Sequence, residues 1–528
     1  MKSLLITAAV FFGMCFLYIL IMLSQTEQHF TYILDDAYIH LAMAKNFALN
    51  GVWGVSEYQF SSSSSSPVFT FLLSGLIAVF GDQQLIPLIF NLGCLLLIVY
   101  FLNKYYSGIF KTGTPVVLAC IFTLLFASVH LLVFSGMEHV FQVLIVVVNV
   151  WSFDQWRKSE FKNSSYAFWF YCSIALLGLI RFESMFYFLA MAFVFLLLRK
   201  FKLAAVLLMF GFIPVLIFGY LTYQKTGYFF PNSVLVKGTK FDLAGNYFIQ
   251  VKNILLYKIL LKPYFYFAGF LPLCFAIVLI FKDYRKKLGF RSLVEKNFLL
   301  TVLSITLFMQ GAFGQFTNFY RYEAYLLTAF AMVVIPEIKD LFTGRSILLK
   351  QNRVTAILIV TVFGVLMLKT ALVSILIVTG SRNIYEQQMQ SARFLKKYYN
   401  HSKVVANDIG AICYFTDIQL LDVAGLGSKE VVPFKIKKKG LNGQFEQFLK
   451  DYTTQNHYQL AIIYEEWLEG HIPENWKKVA ILEIKGRNAV LGLKHVAVYS
   501  IDPDIHESLQ QNVKNFPWNK NVTVKMIN

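Results

Sequence analysis

The sequence is poor in charge, has no paired cysteines and carries no motif of a soluble enzyme. Only 15% of its 528 residues are charged, whereas 57% are hydrophobic. This balance excludes an ordinary soluble domain and is typical of a polytopic membrane protein. The six cysteines have no paired spacing, so they predict neither a disulfide framework nor a metal site. Phosphate-loop, zinc-protease, nucleophile-elbow and dinucleotide-binding motifs are absent, which argues against an ATP-driven pump.

Twelve apolar runs occupy the first 379 residues. The net charge of +18 is concentrated in short loops between these runs, which is typical of cytoplasmic loops rather than of nucleic-acid binding. The first run is predicted to be a retained helix, not a signal peptide. The run 67–80 is short against the roughly 20 residues of a span, which predicts a juxtamembrane or re-entrant helix. The runs are 3–23, 67–80, 84–102, 115–134, 138–152, 166–180, 182–198, 201–222, 263–281, 297–316, 322–336 and 354–379.

These runs predict about eleven transmembrane helices, with the N-terminus cytoplasmic and the chain after Gly380 outside. In the alternative, run 138–152 or run 166–180 fails to cross. From Gly380 the chain is polar, and a predicted α/β domain at 380–528 follows a transmembrane domain at 1–379 that includes an outer loop at 24–83. The predicted strands are 404–408, 419–423, 460–464, 479–484 and 495–501, and the predicted helices are 428–435 and 441–452.

The first outer loop contains two adjacent carboxylates, Asp35 and Asp36, at the start of a predicted short amphipathic helix. Capping and the helix dipole explain one acid there. A second acid beside a membrane is costly unless it faces water or a polar cavity, so one of the pair is a candidate general base. His40 shares a helical face with Asp36 and would orient it, contact substrate or make a surface hydrogen bond. Glu138 would cap the next outer helix or position an acceptor.

Further charged residues interrupt the outer ends of apolar runs. Arg181 and Glu183 form a mutual ion pair that stabilises a tight helical hairpin, or Arg181 faces the active cavity. Asn232 and Lys237 lie in the outer loop 227–240, and a later outer turn contains Arg321 and Tyr322. Cations on the outer face oppose the positive-inside trend, so they predict contact with lipid head groups or with a phosphate leaving group.

Six segments, in this order, resemble the GT-C glycosyltransferases that use polyprenyl-phosphate sugars. The resemblance is strongest to bacterial arabinofuranosyl- and mannosyltransferase-type members and covers most of the chain. His139, Phe182 and Lys45 depart from the pattern of that family. The segments are DDAYIHLAMAKNFALNG, SSSSPVFTFLL, SGMEH, RFES, YFFPNSVLVK and NDIGAICYFTDIQLLDVAGLGS.

The resemblance implies a GT-C fold with juxtamembrane helices between the first two crossings. It also implies that an acid of the first outer loop deprotonates an acceptor hydroxyl, which attacks the anomeric carbon while polyprenyl phosphate leaves with inversion. Asp35 or Asp36 is the implied base, and Glu138 is the implied acceptor-positioning acid, all three lining one outer cavity. Arg181, Lys237 and Arg321 are candidates for the phosphate. The remaining substrate-binding candidates are His40, Glu183, Asn232 and Tyr322.

The implied partners are a polyprenyl-phosphate-linked sugar, a glycan, lipid or protein acceptor, and membrane lipids, in a bacterial cell (inner) membrane. No nucleic acid and no cofactor are expected, and no metal ligand is assigned, although Mg²⁺ or Mn²⁺ held by outer carboxylates stays open. The alternatives are a non-catalytic transporter or flippase and a scaffold for glycan assembly. A secondary transporter would show two related halves, and the sequence has no internal repeat.

Overall fold

Most of the described residues before residue 400 are helical. The computed structural model describes residues 1–111, 113–238, 246–314, 316, 320–343, 353–436 and 440–527. Residues 239 and 240 of the predicted outer loop, and the basic positions Arg345 and Lys350, lie outside the described residues. The α-helices of this part are Lys2–Gln25, Asp36–Asn50, Pro67–Phe80, Ile86–Ser107, Gly113–Phe126, Val129–Phe134, His139–Lys158, Ser164–Ile180, Met185–Leu197, Phe201–Thr226, Asn232–Lys237, Tyr247–Asn253, Pro263–Phe265, Leu271–Tyr284, Phe290–Lys296, Phe298–Phe313, Ala324–Glu337, Lys339–Phe342, Arg353–Ile384 and Gln390–Tyr398.

The apolar helices of the described chain have the lengths of a membrane protein. Five are long and apolar enough to cross a bilayer, and a pair bent by 79° at Asn297 makes a sixth. Five more apolar helices are shorter, among them Pro67–Phe80, whose bounds are those of the predicted short run. At 1.5 Å per residue this helix extends about 21 Å, less than a hydrocarbon core of ~30 Å. The polytopic helical class is confirmed, while the number of eleven crossings stays a prediction.

The C-terminal region contains a six-stranded mixed sheet. Its strands are β1 (Lys403–Ala406), β2 (Gln419–Asp422), β3 (Leu460–Ile463), β4 (Lys477–Ile484), β5 (His495–Ser500) and β6 (Val522–Met526), in the order β2-β1-β3-β5-β4-β6. β1 pairs in parallel with β2 and β3, and the remaining pairs are antiparallel. All five predicted strands are present, and β6 was not predicted. The helices around the sheet are Gly410–Phe415, Val432–Lys435, Gly443–Gln455 and His506–Asn515.

The last apolar helix continues into the C-terminal region without a break. Arg353–Ile384 passes through a π-helical turn at Tyr385–Met389 into Gln390–Tyr398. The domain boundary predicted at residue 380 therefore lies inside one helical segment. Because a helix is a rigid element, this continuous segment sets the orientation of the sheet region relative to the membrane region.

The helix Asp36–Asn50, here called the acid helix, is buried on all sides in its first half. Every residue from Ala37 to Ala44 is buried. One side packs against Pro67–Phe80, and the other packs against Gly410–Phe415 of the C-terminal region, where Tyr38 contacts Phe415 at 5.5 Å between ring centroids. The prediction of a short amphipathic helix was wrong for these residues, because the C-terminal region covers a second side of the helix.

Candidate active site

A cavity of about 440 Å³ lies beside the first turn of the acid helix. Its walls come from the acid helix, the turn before Met185–Leu197, the short helix Asn232–Lys237 and the C-terminal region, which contributes Leu426. We call Asn232–Lys237 the lysine helix. The predicted site residues that line the cavity are Asp36, His40, Arg181, Glu183, Lys237 and Tyr322. Asp35, Glu138, Asn232 and Arg321 are not among the lining residues, although Arg321 contacts Asp36. The prediction that Asp35, Asp36 and Glu138 line one cavity was therefore wrong, since Asp36 alone of the three lines it.

Asp36 lies between two cations. Its Oδ2 is 3.1 Å from Nη1 of Arg321, and its Oδ1 is 3.8 Å from Nζ of Lys237. The side chain is 30% exposed, so it is accessible from the cavity. Burial raises the pKa of Asp36, but Lys237 and Arg321 outweigh burial and hold that pKa well below its usual range. Asp36 is therefore an ionised carboxylate at neutral pH.

The aromatic ring of Tyr322 holds two guanidinium groups. Those of Arg181 and Arg321 lie 4.7 and 4.9 Å from the ring centroid. Nη2 of Arg321 donates to the Tyr322 hydroxyl at 3.0 Å, and its Nη1 approaches Sδ of Met137 at 3.1 Å. Cation–π attraction offsets part of the cost of bringing two positive groups together. The result is a concentration of positive charge beside Asp36.

Glu138 is a buried counter-charge behind the cavity wall. Its Oε1 accepts from Nη1 of Arg181 at 2.6 Å and from Oγ of Ser65 at 3.2 Å, and its Oε2 is 3.3 Å from Nε2 of His40. Burial raises the pKa of Glu138, but His40 and Arg181 outweigh burial and hold it well below its usual range. Because Glu138 itself is fully buried, it orients two residues that line the cavity.

Both sequence interpretations of Arg181 apply together. Its Nε and Nη2 donate to the two carboxylate oxygens of Glu183 at 3.1 and 2.7 Å, and its side chain also lines the cavity. This paired geometry is the bidentate arrangement that makes arginine–carboxylate contacts directional. Glu138 and Glu183 thus fix the guanidinium of Arg181 from two sides.

Asp35 faces the C-terminal region instead of the cavity. It occupies the N-cap position of the acid helix but makes no side-chain bond there. Its carboxylate accepts from the backbone N–H groups of Gly410 at 2.5 Å and Ala411 at 2.8 Å, so it caps the helix Gly410–Phe415. A Cβ atom at Gly410 would lie 2.0 Å from the carbonyl oxygen of Asp35, so this approach requires glycine.

Asp408 stands next to Asp35 at this contact. Its Oδ2 accepts from Nε2 of Gln388 at 2.8 Å and from the hydroxyl of Tyr464 at 3.1 Å. Burial, followed by the negative charge of Asp35, raises the pKa of Asp408 well above its usual range. Asp35 accepts from two backbone N–H groups, which favour its charged form. Asp408 is then the protonated partner, and it donates a hydrogen bond to Asp35.

The serine tract 61–66 is a polar wall that the sequence interpretation missed. Ser63 donates to the carbonyl oxygen of Leu426 at 2.8 Å, Ser64 shares a 2.8 Å hydrogen bond with Thr70, and Ser65 donates to Glu138. Thr70 in turn contacts Nδ1 of His40 at 2.8 Å. A run of identical serines has no sequence pattern that indicates distant partners such as Leu426 and Glu138. The one available signal was its position directly before the helix-starting Pro67.

The donor set does not suit a metal ion. Among the residues that the structure describes, no group of three or more His, Cys, Asp and Glu side chains is arranged to hold one. Each oxygen of Asp36 faces a cation, and Glu138 faces Arg181 and His40. A divalent ion at either carboxylate would have to displace these positive groups.

Comparison with solved structures assigns the fold. The crystal structure of ArnT from Cupriavidus metallidurans bound to undecaprenyl phosphate matches with a TM-score of 0.51 and 11% identity, over 94% of this chain and 98% of that chain. The apo form of that ArnT matches with 0.49 and 10% identity over the same shares. The Archaeoglobus fulgidus oligosaccharyltransferase tethered with an acceptor peptide gives 0.45 and 12% identity, over 90% of this chain and 73% of that chain.

The class that follows is a membrane protein with the GT-C glycosyltransferase fold, as in ArnT. Residues 382–499 match a family model described as a domain of unknown function, DUF8728. A search of curated proteins found no match. The resemblance recognised from the six sequence motifs is therefore confirmed at the level of fold.

Proposed function

We propose that this protein transfers a sugar from a polyprenyl-phosphate donor to an acceptor hydroxyl at the outer face of a bacterial cell membrane. The observation that carries the proposal is the ionised Asp36 held between Arg321 and Lys237 at an accessible cavity. The fold supports it, since ArnT was crystallised with undecaprenyl phosphate. The donor is either a pentose or a hexose derivative, and the acceptor is a glycan, lipid or protein.

In this proposal Lys237, which lines the cavity, receives the phosphate of the donor, and Arg321, which pairs with the cavity residue Asp36, adds its charge at the edge of the same site. Arginine matches phosphate oxygens with its planar fork, whereas lysine contributes a compact charge. Arg181, which also lies over the ring of Tyr322, adds to the same positive charge. Stabilising the charge that develops on the departing phosphate lowers the barrier without a strong acid opposite the base.

The transfer step uses Asp36 as general base. Asp36 takes the proton of the acceptor hydroxyl while that oxygen forms a bond to the anomeric carbon. The bond from this carbon to the phosphate oxygen breaks, its electron pair leaves with polyprenyl phosphate, and the configuration inverts. The second carboxylate, Glu138, acts indirectly by holding His40 and Arg181, which line the cavity beside the acceptor.

Donor binding would also adjust the strength of the base. In the free protein Lys237 and Arg321 hold Asp36 ionised, which makes it a weak base. A bound phosphate draws on the same two cations and adds negative charge nearby, so both effects raise the pKa of Asp36. The base thus becomes stronger when the donor is in place. We propose that these cations take the role a divalent metal would otherwise have.

The proposed orientation follows the charge pattern of the loops. It has eleven crossings, a cytoplasmic N-terminus and an extracytoplasmic C-terminal region. The cavity would then open on the outer side, because Leu426 of that region contributes to its wall.

The variant Asp36→Asn tests the base. We expect the turnover number to fall by about two to four orders of magnitude, the range typical of general-base loss. Affinity for undecaprenyl phosphate should stay equal or increase, because a negative charge beside the phosphate site is removed. Release of polyprenyl phosphate from donors carrying different pentoses and hexoses, with cell-envelope extract as acceptor, measures turnover without knowledge of the acceptor.

The matched control is Asp451→Asn, an exposed carboxylate on the helix Gly443–Gln455. It should behave as the unaltered protein. Wild-type turnover in Asp36→Asn would rule out the proposed base. Absence of release from every donor tested, by the unaltered protein, would favour a transporter or scaffold.

A further inference from the structure

The loop 423–428, which follows β2 and which we call the cavity loop, is held by one carboxylate. Asp422 is fully buried, and its side chain accepts the backbone N–H groups of Ala424 at 2.8 Å, Leu426 at 2.6 Å and Gly427 at 2.6 Å. The hydroxyl of Ser428 accepts from the backbone N–H of Asp422 at 2.8 Å. A carboxylate that gathers three backbone donors fixes the shape of a short loop.

The cavity loop is hydrogen-bonded to the membrane region through the carbonyl group of Leu426. The carbonyl oxygen of Leu426 accepts from Oγ of Ser63 at 2.8 Å and from Nδ2 of Asn232 at 3.1 Å. The backbone N–H of Asn232 donates to the carbonyl oxygen of Ser62 at 2.9 Å. The carbonyl group thus joins the serine tract to the first residue of the lysine helix.

Asn232 is the main buried anchor of the lysine helix. It is the one buried side chain among the six residues of this helix, all of which the structure describes. Lys237, at the opposite end, places its ammonium group 3.8 Å from Asp36 and lines the cavity. Asn232 holds the first turn of this short helix through both its side chain and its backbone N–H, so it helps to set the orientation of the helix. Displacement of Asn232 would therefore displace Lys237.

We infer that Asp422 is a positioning residue for donor binding. Through the cavity loop, the Leu426 carbonyl and Asn232, it sets the place of Lys237 relative to Asp36. Asp422 itself lies outside the cavity lining and touches no substrate in this scheme. The inference rests on the proposed function, because the phosphate of the donor is the group that Lys237 is proposed to bind. It makes the C-terminal region a part of the transfer site.

The variant Asp422→Asn tests this assignment in the full-length protein. An asparagine offers one acceptor oxygen and turns an NH₂ group toward backbone N–H donors, so the cavity loop loses its fixed shape. We expect donor KM, and Kd for undecaprenyl phosphate measured by calorimetry, to rise about tenfold, comparable to one lost charge-assisted hydrogen bond. The turnover number at saturating donor should change less, since Asp36 is untouched.

The matched control is Asp502→Asn in the same region, where the aspartate side chain also caps a turn by accepting from Asp504 N–H at 3.0 Å. We expect it to leave Kd unchanged. Ser63→Ala removes one of the two donors to the Leu426 carbonyl and should raise Kd less than Asp422→Asn. Asn232→Ala should raise it by a similar factor, and the double variant Asp422→Asn with Asn232→Ala should show no further increase, because both act along one path.

The inference is overturned if the increases in Kd of the two single variants multiply in the double variant. If Asp422→Asn fails to fold, an unchanged Kd in both Asn232→Ala and Ser63→Ala would overturn it. An equal loss in Asp502→Asn would overturn it too, by showing a general effect of the C-terminal region. Because Kd is measured without a sugar or an acceptor, these outcomes differ from failure of the proposed transfer. That failure would appear as unaltered protein that binds undecaprenyl phosphate but releases none from any donor.

Discussion

Asp35 and Asp36 are neighbours in sequence with opposite surroundings. Successive residues at a helix start point about 100° apart, so one carboxylate faces the cavity and the other faces the C-terminal region. Lys237 and Arg321 surround Asp36, whereas backbone N–H groups of Gly410 and Ala411 surround Asp35. That both carboxylates would have polar or charged partners was predictable, because two acids beside a membrane are costly without them. Their ranking was not, because it depends on partners about 375 residues away.

The residue-scale prediction concerns Arg321. Its guanidinium contacts Asp36, Met137 and Tyr322 at once, which only a planar fork achieves. Arg321→Lys keeps the charge but loses this geometry, so we expect donor KM to rise about tenfold with a smaller change in the turnover number. Arg321→Ala should raise donor KM further. Steady-state kinetics with varied donor concentration measures both.

Arg285→Lys is the control for this prediction. Its guanidinium also lies over an aromatic ring, 4.8 Å from the centroid of Phe281, but unlike Arg321 it is not one of the two cations paired with the cavity residue Asp36. It should leave donor KM unchanged. An unaltered donor KM in both Arg321 variants would remove the phosphate-binding role proposed for Arg321.

At the scale of elements, the acid helix shows where sequence patterns succeed and where they end. Its start at an acidic pair and its stop at Asn50-Gly51 were readable from local chemistry, and Gly51 does adopt a left-handed C-cap with φ 67°. Its burial was not readable, because the covering surface comes from Gly410–Phe415, far along the chain. The same holds for the serine tract, whose partners are Leu426, Thr70 and Glu138.

The element-scale prediction concerns pH and the contact between the acid helix and the C-terminal region. The pKa of Asp408 is raised, so the folded protein holds a proton that an unfolded aspartate, with a pKa of about 3.9, releases. The stability from this contact is present at acid pH and is lost as pH rises through the raised pKa. Asp408→Asn keeps the donor to Asp35 but does not titrate. We therefore expect the Tm of the purified protein to fall less steeply with rising pH in this variant.

Thermal unfolding in detergent between pH 5 and pH 8 measures the two slopes. The control is Asp417→Asn, whose side chain is 43% exposed and pairs with Lys45. It should keep the slope of the unaltered protein. Equal slopes for Asp408→Asn and the unaltered protein would contradict the assignment of the shared proton to Asp408.

At the scale of the whole molecule, the membrane region and the C-terminal region form one site. The continuous helix Phe363–Tyr398 connects them, Asp35 docks one against the other, and Leu426 lines the cavity with residues of the membrane region. Composition and loop charge were enough to predict a polytopic protein with a small C-terminal α/β region. The contribution of that region to the cavity was not predictable, since it depends on the backbone carbonyl group of Leu426. Every residue has such a group, so side-chain patterns in the sequence do not indicate it.

The prediction at this scale is the side of the membrane on which the site lies. Asp451 is exposed on the helix Gly443–Gln455, and Lys162 is 78% exposed in a basic loop between two apolar helices. In intact cells a membrane-impermeant maleimide should label Asp451→Cys but should label Lys162→Cys only after permeabilisation, with the unaltered protein giving the background of the native cysteines. Since Leu426 ties the C-terminal region to the cavity, the reverse pattern would open the cavity to the cytoplasm. Transfer at the outer face would then be excluded, whereas the proposed roles of Asp36, Arg321 and Lys237 depend only on their mutual distances and would still apply on the inner face.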